Sequence, residues 1–311
     1  MEKIVEAMDS PKINRLLDQS CAKALEDWSQ GKRIDRREAS KALRTLQVEL
    51  KGFKKPDYDN EYIPPAYVIN YQLGHIYMAW KALSWLREET SLGTVHRDSI
   101  RIVDFGAGTC VGRIGAALMA AEIIEGGSNI ESIFFEEIDT SPRMLGMGNV
   151  VWRAFINEVQ RSYAGTALEQ AVRIIKSTQD KNWENIRRSD RDTWLTGFHV
   201  TYGAQDLQET IQKLCHRCEP IAGVFTCNRA NMDMMRKLFP FPPVGEWNSG
   251  YYPPHKGKKD GKVNCETFYT MWQALRFGFR AVYQLEWRPF LQVKDCAILI
   301  GTTSRDRYIP L

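Results

Sequence analysis

RIVDFGAGTCVGRIGA, residues 101–116, runs as an apolar strand into an acid, Asp104, and then sets Gly106, Gly108 and Gly112 within seven positions. A glycine-rich turn between a strand and a helix lets the backbone come close to a ligand and aims the first amides of the helix at it. In dinucleotide-binding folds those amides meet a pyrophosphate, which a carboxylate two residues before the first glycine would repel at close range. The stretch therefore predicts a nucleotide-type loop whose ligand brings positive charge, and not phosphate, to Asp104.

The chain changes character near residue 95. Before it, everything reads as helix. In PKINRLLDQSCAKALEDW, Ile13, Leu16, Leu17, Ala24, Leu25 and Trp28 recur at helical spacing, with Ser10 and Pro11 as cap and first turn. A second helix starts near Arg36 with Ala39, Leu43, Leu46 and Leu50 as its stripe, and a third, largely apolar one is expected from Tyr62 to Glu89. Strands then alternate with helices, the pattern of a mostly parallel sheet covered on both faces. Strands are predicted at 99–105, 130–138, 198–204, 221–227, 280–287 and 295–303, with helices at Arg113 to Glu125, Pro142 to Tyr163, Asp206 to Leu214 and Cys265 to Phe277. The last two strands are too close for a helix between them and predict an antiparallel hairpin. Residues 160–196 read as a polar helical insertion. The expected organisation is a helical N-terminal appendage or lid over residues 1–95 and a ligand-binding domain over 96–311.

The acid and loop Asp104, Gly106, Ala107, Gly108, Thr109 resemble the first motif of the class I S-adenosylmethionine-dependent methyltransferases, and EIDTSPRML at 137–145 resembles the stretch after their second strand. The resemblance covers residues 99–302 and implies a Rossmann-like, seven-stranded, mostly parallel α/β sheet with S-adenosylmethionine as cofactor. The ammonium and sulfonium of that cofactor suit Asp104, reached directly or through water. Asp139 would take the ribose hydroxyls, with Glu136 and Glu137 as close competitors. VTYGAQDL resembles the adenine-binding turn that follows the third strand, which would give Gln205 and Asp206 that role. TCNRAN, after the fourth strand, would bring Cys227 and Asn228 to the meeting point of methionine and acceptor. CNRAN stands where amino-methylating nucleic-acid enzymes carry PPY/W, which argues against that subclass. The N-terminal helices with YIPPAYVINYQLGH, residues 62–75, resemble the ribosomal small-subunit assembly methyltransferase-like family, whose clustered cysteines this chain lacks.

The acceptor is less determined. Residues 239–262, FPFPPVGEWNSGYYPPHKGKKDGK, read as an irregular loop with Trp247, Tyr251 and Tyr252 as a stacking wall and His255, Lys256, Lys258 and Lys259 as its basic end. His255, Tyr251 and Glu246 are the candidate bases, and none is singled out. Tyr62, Tyr67, Tyr71 and His75 bring polar-tipped aromatics to an apolar helix and suggest an acceptor wall. A net charge of +4 in 311 residues is low for a phosphate-holding surface, although Arg187, Arg188 and Arg191 concentrate charge locally. A small aromatic or heteroatom acceptor is the expectation, with RNA or ribosome assembly as the alternative. Seven scattered cysteines read as reduced thiols in a cytoplasmic setting; Cys215 and Cys218 form a CxxC with no second half, so no metal is expected, and Cys110 is a small filler in the loop. No apolar run has the length of a membrane span.

Overall fold

β-Branched and aromatic runs such as SIFFEEI and CAILIGT form the middle of a sheet, in a computed structural model that describes residues 11–51, 56–90, 98–198, 204–228, 232–249, 273, 276–279 and 296–302. The helices are α1 (Pro11–Ser29), α2 (Arg36–Lys51), α3 (Ile63–Asn70), α4 (Gln72–Thr90), α5 (Val111–Glu125), α6 (Pro142–Ser162), α7 (Ala167–Ile174), α8 (Ala204–Cys218) and α9 (Met232–Leu238). The strands are β1 (Ser99–Phe105), β2 (Ser132–Ile138), β3 (Ile175–Asp180), β4 (Thr193–Phe198), β5 (Ala222–Asn228), β6 (Pro243–Ser249) and β7 (Cys296–Thr302). They form one seven-stranded sheet in the order β3-β2-β1-β4-β5-β7-β6. Pairing is parallel from β3 through β5, and β7 runs antiparallel to both β5 and β6.

The expected reversal at the C-terminal end of the sheet is therefore present, while the hairpin strand predicted at 280–287 lies outside the described residues. Two strands escaped the sequence reading because they are edges. β3, IKSTQD, lies inside the supposed helical insertion and has one neighbour and mostly exposed or half-buried side chains, so its sequence carries no apolar alternation. β6 lies inside the supposed irregular loop. It begins at Pro243 and shifts register between Pro243 and Gly245, and an edge strand tolerates both a proline and a bulge. β4 begins five residues before the predicted strand, because all six of its residues are buried and no polar alternation marks it. The long helix predicted over 62–89 breaks at Tyr71 (φ −125°, ψ −28°) into α3 and α4.

The boundary at residue 95 separates two sequence patterns but does not divide the core. Ile13, Leu17 and Leu25 of α1 and Ile76, Leu83 and Leu86 of α4 belong to the same buried cluster as Ile102, Phe135 and Val224 of the sheet. α1 packs along α6, and α4 lies between α5 and strands β5 and β7. α1 and α4 thus share the core of the sheet, whereas α2 and α3 pack in a cluster of their own around Leu43, Leu46, Tyr62 and Ile63. The opposite face of the sheet buries Val103, Leu195, Phe225 and Cys227 beneath α8 and α9. Among the described residues no helix is long and apolar enough to cross a membrane.

Candidate functional site

The loop after β1 turns through left-handed backbone at Gly106 (φ 72°), Gly108 (φ 54°) and Cys110 (φ 61°) before α5 begins. Glycine adopts that conformation without a side-chain clash, which accounts for the first two glycines of the opening stretch. The amides of Gly106 and Ala107 donate to the Ile138 carbonyl at 2.8 and 3.0 Å, tying the loop to the end of β2. From the other side, the Gln72 side chain of α4 donates to the Thr109 carbonyl at 2.8 Å, and the Thr109 hydroxyl donates back to it, both residues being fully buried. Cys110 is buried, as expected of a filler.

Asp139 closes the assembly. Its Oδ2 accepts from the Gly108 amide at 2.9 Å and its Oδ1 from the Ser141 amide at 2.8 Å, while Ser141 caps α6 through Met144 at 3.2 Å. The carboxylate is half-buried. Its two competitors are consumed by the fold. Glu136 takes a bidentate grip from Arg101 at 2.8 and 2.7 Å. Glu137, fully buried, pairs with buried Arg113 and also accepts from Gln179 at 2.7 Å.

Asp104 lies beneath the loop and not at its mouth. It is 1% exposed, its Oδ1 accepts from Thr196 at 2.8 Å, and its Oδ2 is a buried oxygen without a partner among the described residues. A Cβ at Gly112 would stand 2.5 Å from that oxygen and 2.8 Å from the Phe198 ring, so the third glycine lets α5 close over the acid. Burial first, and then the Glu137 and Asp139 charges, hold this carboxyl well above the usual carboxylate range, against the pull of Thr196. The ligand contact expected of Asp104, direct or through water, would have to be made at this enclosed position.

Because β3 was not expected, the residues expected after the third strand follow the fourth. Gln205 and Asp206 fall in the first turn of α8, which follows β4, whereas the third strand ends at Asp180. The Asp139 amide donates to the Asp180 carbonyl at 3.2 Å, so the two strand ends adjoin. The Asp180 carboxylate accepts from the Asn182 amide at 2.8 Å and the Asn185 side chain at 2.7 Å, which hold it below the usual range. The signal that could have found it is an acid closing a short polar run directly before KNWEN. Asn228 ends β5 as expected, but Cys227 is fully buried in the cluster under α8 and α9, and burial pushes its thiol up to about 12. Cys215 and Cys218 are free thiols pushed up to about 12 by burial.

The aromatic residues before the sheet divide in two. Tyr62 is core, packed against Trp28 and Phe279 with its hydroxyl accepting from the Asp35 amide at 3.0 Å. Tyr67, Tyr71 and His75 are half-buried and gather at the α3–α4 break. The Tyr67 hydroxyl and His75 Nδ1 are 2.6 Å apart, and the Tyr71 and His75 rings stack at 5.4 Å and 23°. Gln72, which holds the glycine loop, lies one turn from His75. The Ser141 hydroxyl reaches the Tyr58 carbonyl at 3.3 Å, so this N-terminal segment touches the loops after both β1 and β2. Glu246 is engaged by Arg236, with Nε to Oε2 at 3.1 Å. Trp247 falls on β6, and Tyr251, Tyr252, His255, Lys256, Lys258 and Lys259 lie outside the described residues.

The strand order, the single reversed strand and the glycine loop between β1 and α5 make this a Rossmann-like, seven-stranded, mostly parallel α/β sheet, as the sequence implied. No protein-family model and no curated protein sequence matches the chain. Among solved structures, it is similar to a protein of Thermoplasma acidophilum (11% identity, 87% of this chain and 97% of that one, TM-score 0.37). It is also similar to an uncharacterized protein of Burkholderia thailandensis (8% identity, 94% of each chain, TM-score 0.37). A third likeness is to geranyl diphosphate C-methyltransferase of Streptomyces coelicolor (10% identity, 66% of this chain and 72% of that one, TM-score 0.30). Likeness of this degree carries no activity with it.

Proposed function

We propose that the protein is an S-adenosylmethionine-dependent methyltransferase acting on a small aromatic or heteroatom acceptor. The observation that carries the reading is the union of Asp139 with the Gly108 amide at 2.9 Å, at the ends of two adjacent parallel strands. The half-buried Asp139 carboxylate suits a pair of ribose hydroxyls, and Gly106 to Thr109 offer close-approach backbone beside it. Asp180, at the next strand end, stands on the adenine side. When bound, S-adenosylmethionine supplies an electrophilic methyl group on a sulfonium. The protein's share is to orient the acceptor and exclude water. The Tyr67–Tyr71–His75 cluster supports an aromatic wall for a planar acceptor, and its hydroxyl–imidazole pair suits holding a proton that the acceptor gives up. Calorimetric titration with S-adenosylhomocysteine tests the cofactor: Asp139→Ala is expected to weaken binding by about 1–3 kcal/mol through the lost charged hydrogen bonds. An unchanged affinity would falsify the ribose assignment, and a wild-type chain that gives no binding heat overturns the whole reading.

A second reading, an RNA-binding methyltransferase-like protein acting on rRNA or in ribosome assembly, draws on the arginines at 187–191. RNA affinity measured across a salt series separates the two. Tight binding that falls steeply with salt favours RNA over a small molecule.

A further inference from the structure

On the sheet face opposite Asp104, a cavity of about 390 Å³ opens over β2 and β3 beneath the segment that joins β3 to β4. Arg101, Arg187, Arg188 and Arg191 line it, with Phe134 among the lining residues. The carboxylates in the same lining have partners of their own: Glu136 and Glu137 are held by arginines, while Asp180 is held by neutral amides and keeps its charge. Glu136 is gripped by Arg101, Glu137 serves Arg113 and Gln179, and Asp180 accepts from Asn182 and Asn185. Two of the arginines are not matched in this way. The Arg187 guanidinium donates to the backbone carbonyls of Glu184 and Ile186, and among the described residues it has no carboxylate partner. Arg191 lies 3.9 Å over the Phe134 ring, and its ion pair is with the neighbouring Asp190 at 3.7 Å, whose side chain is 91% exposed and well screened. Lys176 adds a further cation 5.2 Å from the same ring. Guanidinium forks match the oxygens of phosphate, and the volume admits a phosphate with an organic group attached.

We propose that this cavity is a phosphate site, built to take the phosphate group of a ribose phosphate, either free or within an RNA strand, through Arg187 and Arg191. The glycine loop is not part of its lining, which meets the adenine side of the cofactor site proposed above at Asp180, and the role given to the arginines does not rest on that reading. The experiment titrates the full chain, saturated with S-adenosylhomocysteine, with inorganic phosphate, ribose 5-phosphate and a single-stranded RNA oligonucleotide, for the wild type and for Arg187→Gln/Arg191→Gln. Saturable binding of ribose 5-phosphate that weakens about tenfold or more in the double variant supports the site. RNA that binds with the same arginine dependence and displaces ribose 5-phosphate identifies a strand as the source, and failure to displace it identifies a free ester. Absence of binding by the wild type, or binding that the double variant leaves unchanged, overturns the proposal. Arg187→Lys/Arg191→Lys keeps the charge and removes the fork, so it retains the test where the glutamine variant is poorly folded. Lysine variants that bind as tightly as wild type overturn the bidentate site.

Discussion

A carboxyl with one oxygen bonded to Thr196 and the other buried without a partner among the described residues is an expensive group to ionise, and Asp104 is that group at the end of β1. Its folded-state pKa is raised, so the stability it contributes is fully present below its unfolded value of about 3.9 and is lost as pH rises toward the folded value. Asp104→Asn removes that dependence. The variant should melt with the wild type near pH 4 and become progressively more stable than it toward pH 8, in thermal denaturation across a pH series. Glu122 is raised by burial in the same sense, but it is present in both chains and cancels in the difference. Melting curves that stay parallel with pH would show an ionised, compensated Asp104. At this scale Asp139 was legible, because an acid followed by TSPRML is a local pattern. The fate of Glu136 and Glu137 was not. Their arginines stand 35 and 24 residues away in sequence, and only the pairing of β1 with β2 and the docking of α5 bring them together.

Among the elements other than β4, which is central and was expected five residues too late, legibility followed position in the sheet. β1, β2, β5 and β7 lie inside it and read as apolar runs, whereas β3 and β6 are its edges and read as insertion and loop. A strand with one neighbour and an exposed face gains little from apolar side chains, so its sequence does not announce it. The break between α3 and α4 was hidden for a related reason: the residues on both sides are good core formers, and the division shows itself only where Gln72 meets Thr109. That contact ties an N-terminal helix to the ligand loop. Gln72→Leu leaves the buried Thr109 carbonyl and hydroxyl without these bonds and is expected to lower unfolding stability by about 1–3 kcal/mol in chemical denaturation. A smaller loss would mean that water or a rearranged side chain replaces the amide.

For the molecule as a whole, the N-terminal helices complete the core. Removing residues 1–55 takes Ile13, Leu16, Leu17, Leu25, Leu43 and Leu46 out of buried positions and uncovers α6. The shortened chain should be insoluble or melt without cooperativity, and a soluble chain with a sharp calorimetric transition would restore the appendage as a separate unit. The α/β class, the glycine loop and its acidic partner after β2 were determined by the sequence alone. Each rests on a local demand: left-handed backbone at Gly106 and Gly108, burial of strands on both faces, and the cap of a helix at Ser141. What only the tertiary structure decided were the edge strands, the third strand's end at Asp180, the burial of Asp104 and the merging of α1 and α4 into the core. These depend on which distant segment covers a surface or neutralises a charge, and no short stretch of chain carries that information.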